Sequence, residues 1–311
     1  MDWKGVMPAI TTCFDESYRV DLTAVARHCR WLLEQGCSGI VALGTLGEGA
    51  TLSFDEKLEV LRTCVSSVEG RVPVAAGISS LSTPGAVELA RAAADLGCNG
   101  LMILPPYVYQ GDWREMKAHV AAVLDATQIS CMLYNNPIAY GTDFLPAYIQ
   151  ELVGEHQNLQ AVKESSMDVR RVTAIRALVG DRLEVSIGVD DLVVEAVGVG
   201  ASGWVSGLAN VLPRESVNLF SLALNGERER AFELYRWFLP LLRMDTVTKF
   251  VQLIKLAQSE VGVGSSRVRP PLLELAGTEL QEARSTISHV LRNRPGVGAK
   301  PTVTATKRTG S

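Results

Sequence analysis

The sequence alternates between two kinds of segment from about Val6 to Asn225. Short apolar runs rich in β-branched residues are separated by stretches with helical periodicity. The apolar runs are Val6–Thr12, Gly39–Gly44, Pro73–Ile78, Gly100–Pro105, Ser130–Asn135, Leu159–Glu164, Leu183–Gly188 and Gly203–Gly207. They are continuously apolar, as is typical of parallel strands buried on both faces. Eight such units predict an α/β fold, a TIM (β/α)8 barrel, over residues 1–225.

The intervening segments carry helix signals at both ends. Asp21, Ser53 and Ser82 precede helical periodicity as N-cap residues. Three joints share a Gly-x-x-Gly turn whose first glycine can end a helix. The predicted helices are Leu22–Gln35, Asp55–Val68, Thr83–Leu96, Asp112–Asp125, Asp143–Val153, Val169–Val179, Asp191–Val199 and Pro213–Leu224. A doubly wound open sheet is the structural alternative, but no Gly-x-Gly-x-x-Gly follows the first strand, which disfavours its dinucleotide-binding form.

The chain becomes purely helical after Asn225. Helices are predicted over Glu227–Phe238, about Asp245–Val261 and Glu279–Arg294. A barrel needs none of them, so residues 226–294 are expected to form an appended C-terminal helical layer. Residues 295–311 are rich in Gly, Pro, Thr and Lys, and we expect a disordered tail.

Composition excludes several classes of function. Apolar residues make up 47% and charged residues 21%, with a net charge of −4, so no nucleic-acid or membrane partner is indicated. No apolar run reaches membrane-spanning length and the first residues do not resemble a signal peptide, so a cytoplasmic protein is expected. The six cysteines are expected to be reduced core thiols, and neither they nor the four histidines form a metal-ligand motif. No metal and no cofactor are therefore expected.

Lys163 lies near the end of the sixth apolar run. An unpaired ammonium group is costly to bury, so a lysine here is either paired or has a lowered pKa. A neutral amine in a dry pocket is a nucleophile. The alternative is a lysine at a strand's edge that reaches solvent.

Other strand ends should meet Lys163 at the C-terminal face of the barrel, where active sites of this fold lie. The second strand ends in the glycine-rich turn Gly44-Thr-Leu-Gly-Glu-Gly49, whose backbone amides suit a carboxylate or phosphate. The fifth strand carries Tyr134, next to Lys163 if neighbouring strands pair at about 4.8 Å. Tyr134 could instead be a core aromatic residue.

Taken together, the motifs resemble the dihydrodipicolinate synthase / N-acetylneuraminate lyase family of class I Schiff-base aldolases. The resemblance runs from about Gly5 through the helical layer. The motifs that carry it are Gly44-Thr-Leu-Gly-Glu48, Pro106-Tyr107, Tyr134-Asn-Asn-Pro137, Val162-Lys-Glu164 and Gly188. They are specific for the family and poor guides to the exact reaction.

The resemblance implies a metal-independent mechanism on pyruvate or a longer 2-oxo acid. Lys163 would form a Schiff base with the ketone, and Tyr134 would carry protons. The Thr45 hydroxyl and the amides of Thr45 and Leu46 would hold the substrate carboxylate and link Tyr134 to solvent. Gly188 would leave space beside the imine, and Val205 would form an apolar wall. Family members are usually homotetramers, arranged as a dimer of dimers.

Three positions depart from the family pattern. Ala139 stands where the lysine-pathway synthases carry an arginine that binds the second substrate's carboxylate, and alanine cannot replace that contact. Leu46 replaces the second of two threonines, and Val108 replaces a tyrosine that would reach a neighbouring subunit, unless Tyr109 takes that role. Tyr140 could offer its hydroxyl to a polar substrate tail, or it could be a packed loop residue.

These departures favour a catabolic relative over the lysine-pathway synthase. The candidates are a 2-keto-3-deoxy-acid aldolase or dehydratase and a 1-pyrroline-4-hydroxy-2-carboxylate deaminase. The alternatives are a true 4-hydroxy-tetrahydrodipicolinate synthase and a non-catalytic barrel that binds a small acid. A barrel enzyme with a phosphate site at Gly203–Gly207 would leave Lys163 and Tyr134 unexplained. Arg267 and Arg269 are expected to be structural surface charges of the helical layer.

Overall fold

A computed structural model describes residues 1–106 and 109–295 of the chain. Within them, eight parallel strands form one sheet in the order β1-β8-β7-β6-β5-β4-β3-β2. The strands are β1 (Gly5–Pro8), β2 (Ile40–Ala42), β3 (Val74–Ile78), β4 (Gly100–Ile103), β5 (Ser130–Asn135), β6 (Leu159–Glu164), β7 (Glu184–Ile187) and β8 (Gly203–Ser206). A parallel bridge between Ala9 and Val41 joins the first and second strand segments and closes the barrel. The predicted (β/α)8 barrel is confirmed.

Helices surround the barrel and continue past it. They are α1 (Leu22–Glu34), α2 (Phe54–Val68), α3 (Thr83–Asp95), α4 (Trp113–Asp125), α5 (Pro137–Tyr140), α6 (Pro146–Glu155), α7 (Arg170–Val179), α8 (Val193–Gly198), α9 (Pro213–Leu224), α10 (Arg228–Leu242), α11 (Phe250–Glu260) and α12 (Gly277–Arg292). The last three form the appended helical layer that the sequence predicts. The predicted disordered tail, apart from Pro295, lies outside the described residues.

Local side-chain contacts set the beginnings of several helices. Ser53 and Glu56 form a capping box at α2, and the Asp21 and Ser82 side chains accept backbone N–H bonds at α1 and α3. The predicted start of α6 at Asp143 is wrong. Leu145 precedes Pro146, a position that disfavours helical backbone, and the helix begins only at the proline.

The sequence prediction also misses α5, which directly follows β5. Pro137 occupies its first turn, and the Asn136 side chain accepts a bond from the Ala139 N–H at 3.0 Å. This single turn matters because it carries Ala139 and Tyr140 over the end of β5.

Two hydrophobic clusters divide the core. The larger lies between the sheet and the surrounding helices. The smaller fills the barrel interior with residues such as Trp3, Met7 and Met132, and it includes Tyr134 and Tyr140. The barrel is thus a packed core below a site at its C-terminal end, as in other barrels of this type.

The helical layer is bonded to the barrel through Arg269. Its guanidinium donates to both carboxylate oxygens of Glu56 on α2, each at 2.8 Å, and its side chain is only 14% exposed. Arg267 donates to the Phe14 carbonyl at 3.0 Å. The expectation that these two arginines are surface charges is wrong, because both reach across to the barrel and satisfy groups there.

Candidate active site

A pocket of about 550 Å³ opens at the C-terminal ends of the strands. It is lined by strand-end residues, by α5 and by the start of the helical layer: Ala9, Gly44, Thr45, Leu46, Met102, Tyr134, Asn136, Ile138, Ala139, Lys163, Ser165, Met167, Gly188, Val189, Gly207, Asp245, Thr246, Val247, Thr248 and Phe250. Thr45, Leu46, Tyr134, Ala139, Lys163 and Gly188 therefore meet in one place, although they come from distant parts of the sequence.

Lys163 projects from β6 between two neighbouring strands. Its Cα pairs with that of Tyr134 on β5 and with that of Ser186 on β7. The residue is 6% exposed, and its Nζ lies 4.3 Å from the centroid of the Tyr134 ring. Lys163 is thus a largely buried amine at the wall of the pocket with a tyrosine beside it, a position suited to an imine-forming lysine.

Gly188 leaves the space that the Lys163 side chain occupies. A Cβ atom added at Gly188 would clash with Lys163 Cε and Ser165 Oγ, and it would lie 2.8 Å from Lys163 Cγ. The glycine N–H donates to the Glu164 carbonyl at 2.9 Å, so the backbone cannot retreat without losing that bond. A larger residue here would displace the lysine.

Tyr134, Tyr140 and Thr45 are linked by a ring contact and a hydrogen bond that the sequence does not predict. The Tyr134 hydroxyl accepts a bond from Asn136 Nδ2 at 3.1 Å. The Tyr134 ring packs edge-on against Tyr140, with centroids 5.7 Å apart and planes at 80°. The Thr45 hydroxyl is hydrogen-bonded to the Tyr140 hydroxyl. Tyr140 therefore lies between the threonine of one strand end and the catalytic candidate Tyr134.

The turn after β2 presents backbone donors to the pocket. Leu43 and Glu48 adopt left-handed conformations with φ of 65° and 53°, and they bracket the segment that carries Thr45 and Leu46. The N–H groups of Thr45 and Leu46 have no acceptor within residues 1–106 and 109–295. Two unpaired amides in a turn are suited to a carboxylate.

A buried ion pair that the sequence reasoning missed supports this turn. Glu48 accepts from Lys255 Nζ at 2.5 Å and from the Arg269 N–H at 2.7 Å. Burial lowers the pKa of Lys255 more than the nearby Glu48 carboxylate raises it. Lys255 sits within a regular helical pattern, so nothing in the sequence distinguishes it from a surface lysine of α11.

Asp245 lines the pocket and the buried Asp190 lies behind it, and the sequence reasoning selected neither acid. Asp190 is fully buried and accepts from Trp204 Nε1 at 2.8 Å, Ser206 Oγ at 3.1 Å and the Leu208 N–H at 2.7 Å. Burial raises its pKa to about 6, and the three donors oppose the rise. Burial and the neighbouring Asp190 charge raise the pKa of Asp245, and the Lys163 charge acts in the opposite direction.

Val205 lies away from the pocket. It is buried in the barrel interior in the same cluster as Tyr134 and Tyr140, and it is not among the pocket-lining residues. Tyr109 is 52% exposed and donates from its hydroxyl to Glu115 at 2.8 Å within the same chain. Tyr107 and Val108 lie outside the described residues.

Within residues 1–106 and 109–295, no three or more His, Cys, Asp or Glu side chains come together in a group that could hold a metal ion. Among the same residues, no helix combines the length and apolar character that crossing a membrane requires.

Comparisons with known proteins agree with this geometry. The model of the dihydrodipicolinate synthetase family matches residues 2–290. The 4-hydroxy-tetrahydrodipicolinate synthase of Methanocaldococcus jannaschii is 32% identical over 292 residues, which are 94% of this chain and 98% of the relative. The same-named enzyme of Caldicellulosiruptor saccharolyticus is 34% identical over 270 residues, 87% of this chain and 91% of the relative.

Solved structures give the same result. The 4-hydroxy-tetrahydrodipicolinate synthase of Methylacidiphilum fumariolicum SolV superposes with a TM-score of 0.89 at 29% identity, covering 93% of this chain and 96% of its own. A prophage protein of the dihydrodipicolinic acid synthase family from E. coli K12, in complex with pyruvate, has a TM-score of 0.88 at 25% identity. It covers 93% of this chain and 99% of its own.

Proposed function

Because the chain belongs to the dihydrodipicolinate synthetase family, whose members are class I lyases, we propose that Lys163 forms a Schiff base with pyruvate or a longer 2-oxo acid. The observation that carries the proposal is the buried Lys163 amine against the Tyr134 ring, 4.3 Å from its centroid, at the wall of the pocket. A binding protein that merely held a small acid would have no use for this pair.

The chemistry follows from the positions of the side chains. The Lys163 amine adds to the C2 ketone, and loss of the oxygen as water gives the imine, which draws electrons from C3. Tyr134 gives and takes the protons that these steps require. The amides of Thr45 and Leu46 hold the C1 carboxylate. The Thr45 and Tyr140 hydroxyls, which are hydrogen-bonded to each other, provide further polar groups next to Tyr134.

We further propose that the second substrate or leaving fragment differs from that of the lysine-pathway synthase. Ala139 lines the pocket where an arginine would pair with a carboxylate. Among the described lining residues, Lys163 is the only one that carries a positive charge, and it is used for the imine. A 2-keto-3-deoxy-acid aldolase or dehydratase, or a 1-pyrroline-4-hydroxy-2-carboxylate deaminase, fits such a pocket.

The names of the relatives favour a second candidate, 4-hydroxy-tetrahydrodipicolinate synthase. Steady-state turnover with pyruvate and aspartate semialdehyde separates the two. We expect little turnover from the wild type and a gain in the Ala139→Arg variant, because the added guanidinium can pair with the semialdehyde carboxylate. Wild-type turnover equal to that of the Methanocaldococcus jannaschii enzyme would establish the synthase instead.

We also propose a homotetramer. Three large apolar side chains are exposed in segments that follow successive strands: Leu81 at 71% after β3, Tyr109 at 52% after β4 and Ile138 at 70% after β5. Exposed apolar groups gathered on one face of a protein favour association. Sedimentation velocity should show a tetramer, and a monomer at micromolar concentration would contradict it.

A further inference from the structure

Asp245 brings a carboxyl group from the helical layer to the pocket. It ends the single 3-10 turn Arg243–Asp245 between α10 and α11, and it lines the pocket. The carboxyl packs on Gly207 at the end of β8, where an added Cβ would lie 2.5 Å from Asp245 Cγ. Gly207 thus makes room for an acid in the same way that Gly188 makes room for Lys163.

The surroundings of Asp245 do not explain it as a structural acid. Asp190, its buried neighbour, accepts three hydrogen bonds from Trp204, Ser206 and Leu208. Asp245 is only partly buried, and its carboxyl group makes no hydrogen bond or ion pair to any residue in 1–106 or 109–295. Burial and the neighbouring Asp190 charge raise the pKa of Asp245, so a carboxyl group left without hydrogen-bond donors here is unfavourable unless a ligand supplies one.

Ser165 gives a second, independent indication of a ligand. The residue is only 3% exposed, lines the pocket and has no partner for its Oγ within the described part of the chain. Its Oγ lies beside the Lys163 stem, close enough that a Cβ added at Gly188 would clash with both. A buried hydroxyl without a hydrogen-bond partner normally destabilises the folded protein. A polar group of a bound ligand would supply the missing partner.

Charge decides which polar groups fit this wall. The substrate's first carboxylate has the amides of Thr45 and Leu46. A second carboxylate would meet Asp245, and no described lining residue other than Lys163 would offset the repulsion. A hydroxyl or a cationic N–H group would instead donate to Asp245, and a hydroxyl could also bond Ser165.

We infer that Asp245, with Ser165, selects 2-oxo acids whose distal carbons carry hydrogen-bond donors, namely hydroxyl groups or cationic N–H groups, over unsubstituted acids and dicarboxylates. The inference rests on the proposed imine chemistry and names the substrate class of that same pocket. Asp245 acts here as a specificity-determining residue, and its loss changes the preference among substrates.

Reductive trapping on Lys163 tests this with defined probes. Pyruvate, 2-keto-3-deoxygluconate, 2-oxo-5-guanidinopentanoate and 2-oxoglutarate are each incubated with the full-length protein and borohydride, and the half-saturating concentration is read from the intact mass. The preference is the half-saturating concentration of pyruvate divided by that of each longer acid. Because each preference is a ratio within one variant, a general loss of stability cancels.

We expect the wild type to prefer at least one donor-bearing acid over both pyruvate and 2-oxoglutarate. Asp245→Ala and Asp245→Asn should reduce that preference by about tenfold or more, the size expected for one charge-assisted hydrogen bond. The hydroxylated and cationic probes then show which donor is recognised. Asp181→Asn, at a fully exposed acid outside the pocket, is the matched control and should keep the wild-type preference.

Three outcomes would overturn the inference. One is a change of less than twofold in both Asp245 variants, and another is a wild-type preference for 2-oxoglutarate. In either case the pyruvate adduct still forms, so the proposed imine chemistry would stand. The third is a wild type that traps no 2-oxo acid, which overturns the proposed function and this inference with it.

Discussion

Removing the Lys255 ammonium should destabilise the protein and loosen the turn that we propose holds the substrate carboxylate. The side chains of Lys255 and Glu48 are 2% and 1% exposed, and their charged atoms lie 2.5 Å apart. The ammonium also lies 4.5 Å from the centroid of the Phe14 ring. In Lys255→Met, the chain stem keeps its packing, but Glu48 retains only the Arg269 N–H as a donor.

The expected loss in the free energy of unfolding follows from the burial of the ion pair. Breaking a buried pair by removing one partner typically costs about 3–5 kcal/mol, because an uncompensated charge remains. In the double variant Glu48→Gln/Lys255→Met the remaining group is neutral, so a smaller loss of roughly 1–2 kcal/mol is expected. Gln keeps an oxygen that can accept from Arg269, and it fits the left-handed backbone at position 48 no worse than Glu does.

Urea unfolding of the wild type and the variants gives these differences directly. The half-saturating pyruvate concentration in borohydride trapping gives the effect on the turn, and we expect Lys255→Met to raise it because Glu48 follows Thr45 and Leu46 by only a few residues. A single-variant loss under about 1 kcal/mol, or a double variant less stable than the single, would refute the reasoning that Glu48 needs its buried partner.

Three further changes have definite expected outcomes. Gly188→Ala should abolish pyruvate trapping while the protein still folds, because the new Cβ clashes with the Lys163 stem; near-normal trapping would count against the assigned geometry. Tyr134→Phe should slow proton transfer roughly a hundredfold or more in kcat with less effect on trapping at equilibrium, and an unchanged kcat would remove Tyr134 from the mechanism. Burial lowers the pKa of His28 from 6.5 to about 4, so its contribution to stability is full above pH 6.5 and is lost as the pH falls towards 4. Because of His28, the free energy of unfolding should be about 2 kcal/mol higher at pH 7 than at pH 5, and His28→Gln should remove this difference. An equal dependence of stability on pH in the wild type and the variant would disprove the assignment.

The barrel could be predicted because each strand–helix unit has its own recognisable sequence pattern. Continuous apolar runs mark strands covered on both faces, and cap residues such as Ser53 mark the helices between them. The ends of the strands could not be predicted in the same way, since β1 ends at Pro8, four residues before the apolar run ends. The end of a strand depends on where its neighbour stops pairing, which the run itself does not encode.

The site could be predicted in part for a related reason. Lys163 and Tyr134 stand at strand ends, and barrel topology brings strand ends together. Tyr140 meets Thr45 only because the short helix α5 turns the chain back over the pocket. Asp245 and Lys255 arrive from the helical layer, whose docking depends on tertiary contacts such as Arg269 with Glu56. No local pattern distinguishes such residues from surface charges of a helix.

The central claim is that the Lys163 amine is the nucleophile. Pyruvate and borohydride, followed by peptide mapping, test it most directly, because reduction of the imine leaves one N-(1-carboxyethyl) group on the reacting lysine. Lys255 provides an internal control, since it too is buried but is held by Glu48. The account predicts one adduct per chain, on the Lys163 peptide, and none in Lys163→Met. An unmodified Lys163 peptide, or an adduct that persists in Lys163→Met, would contradict it.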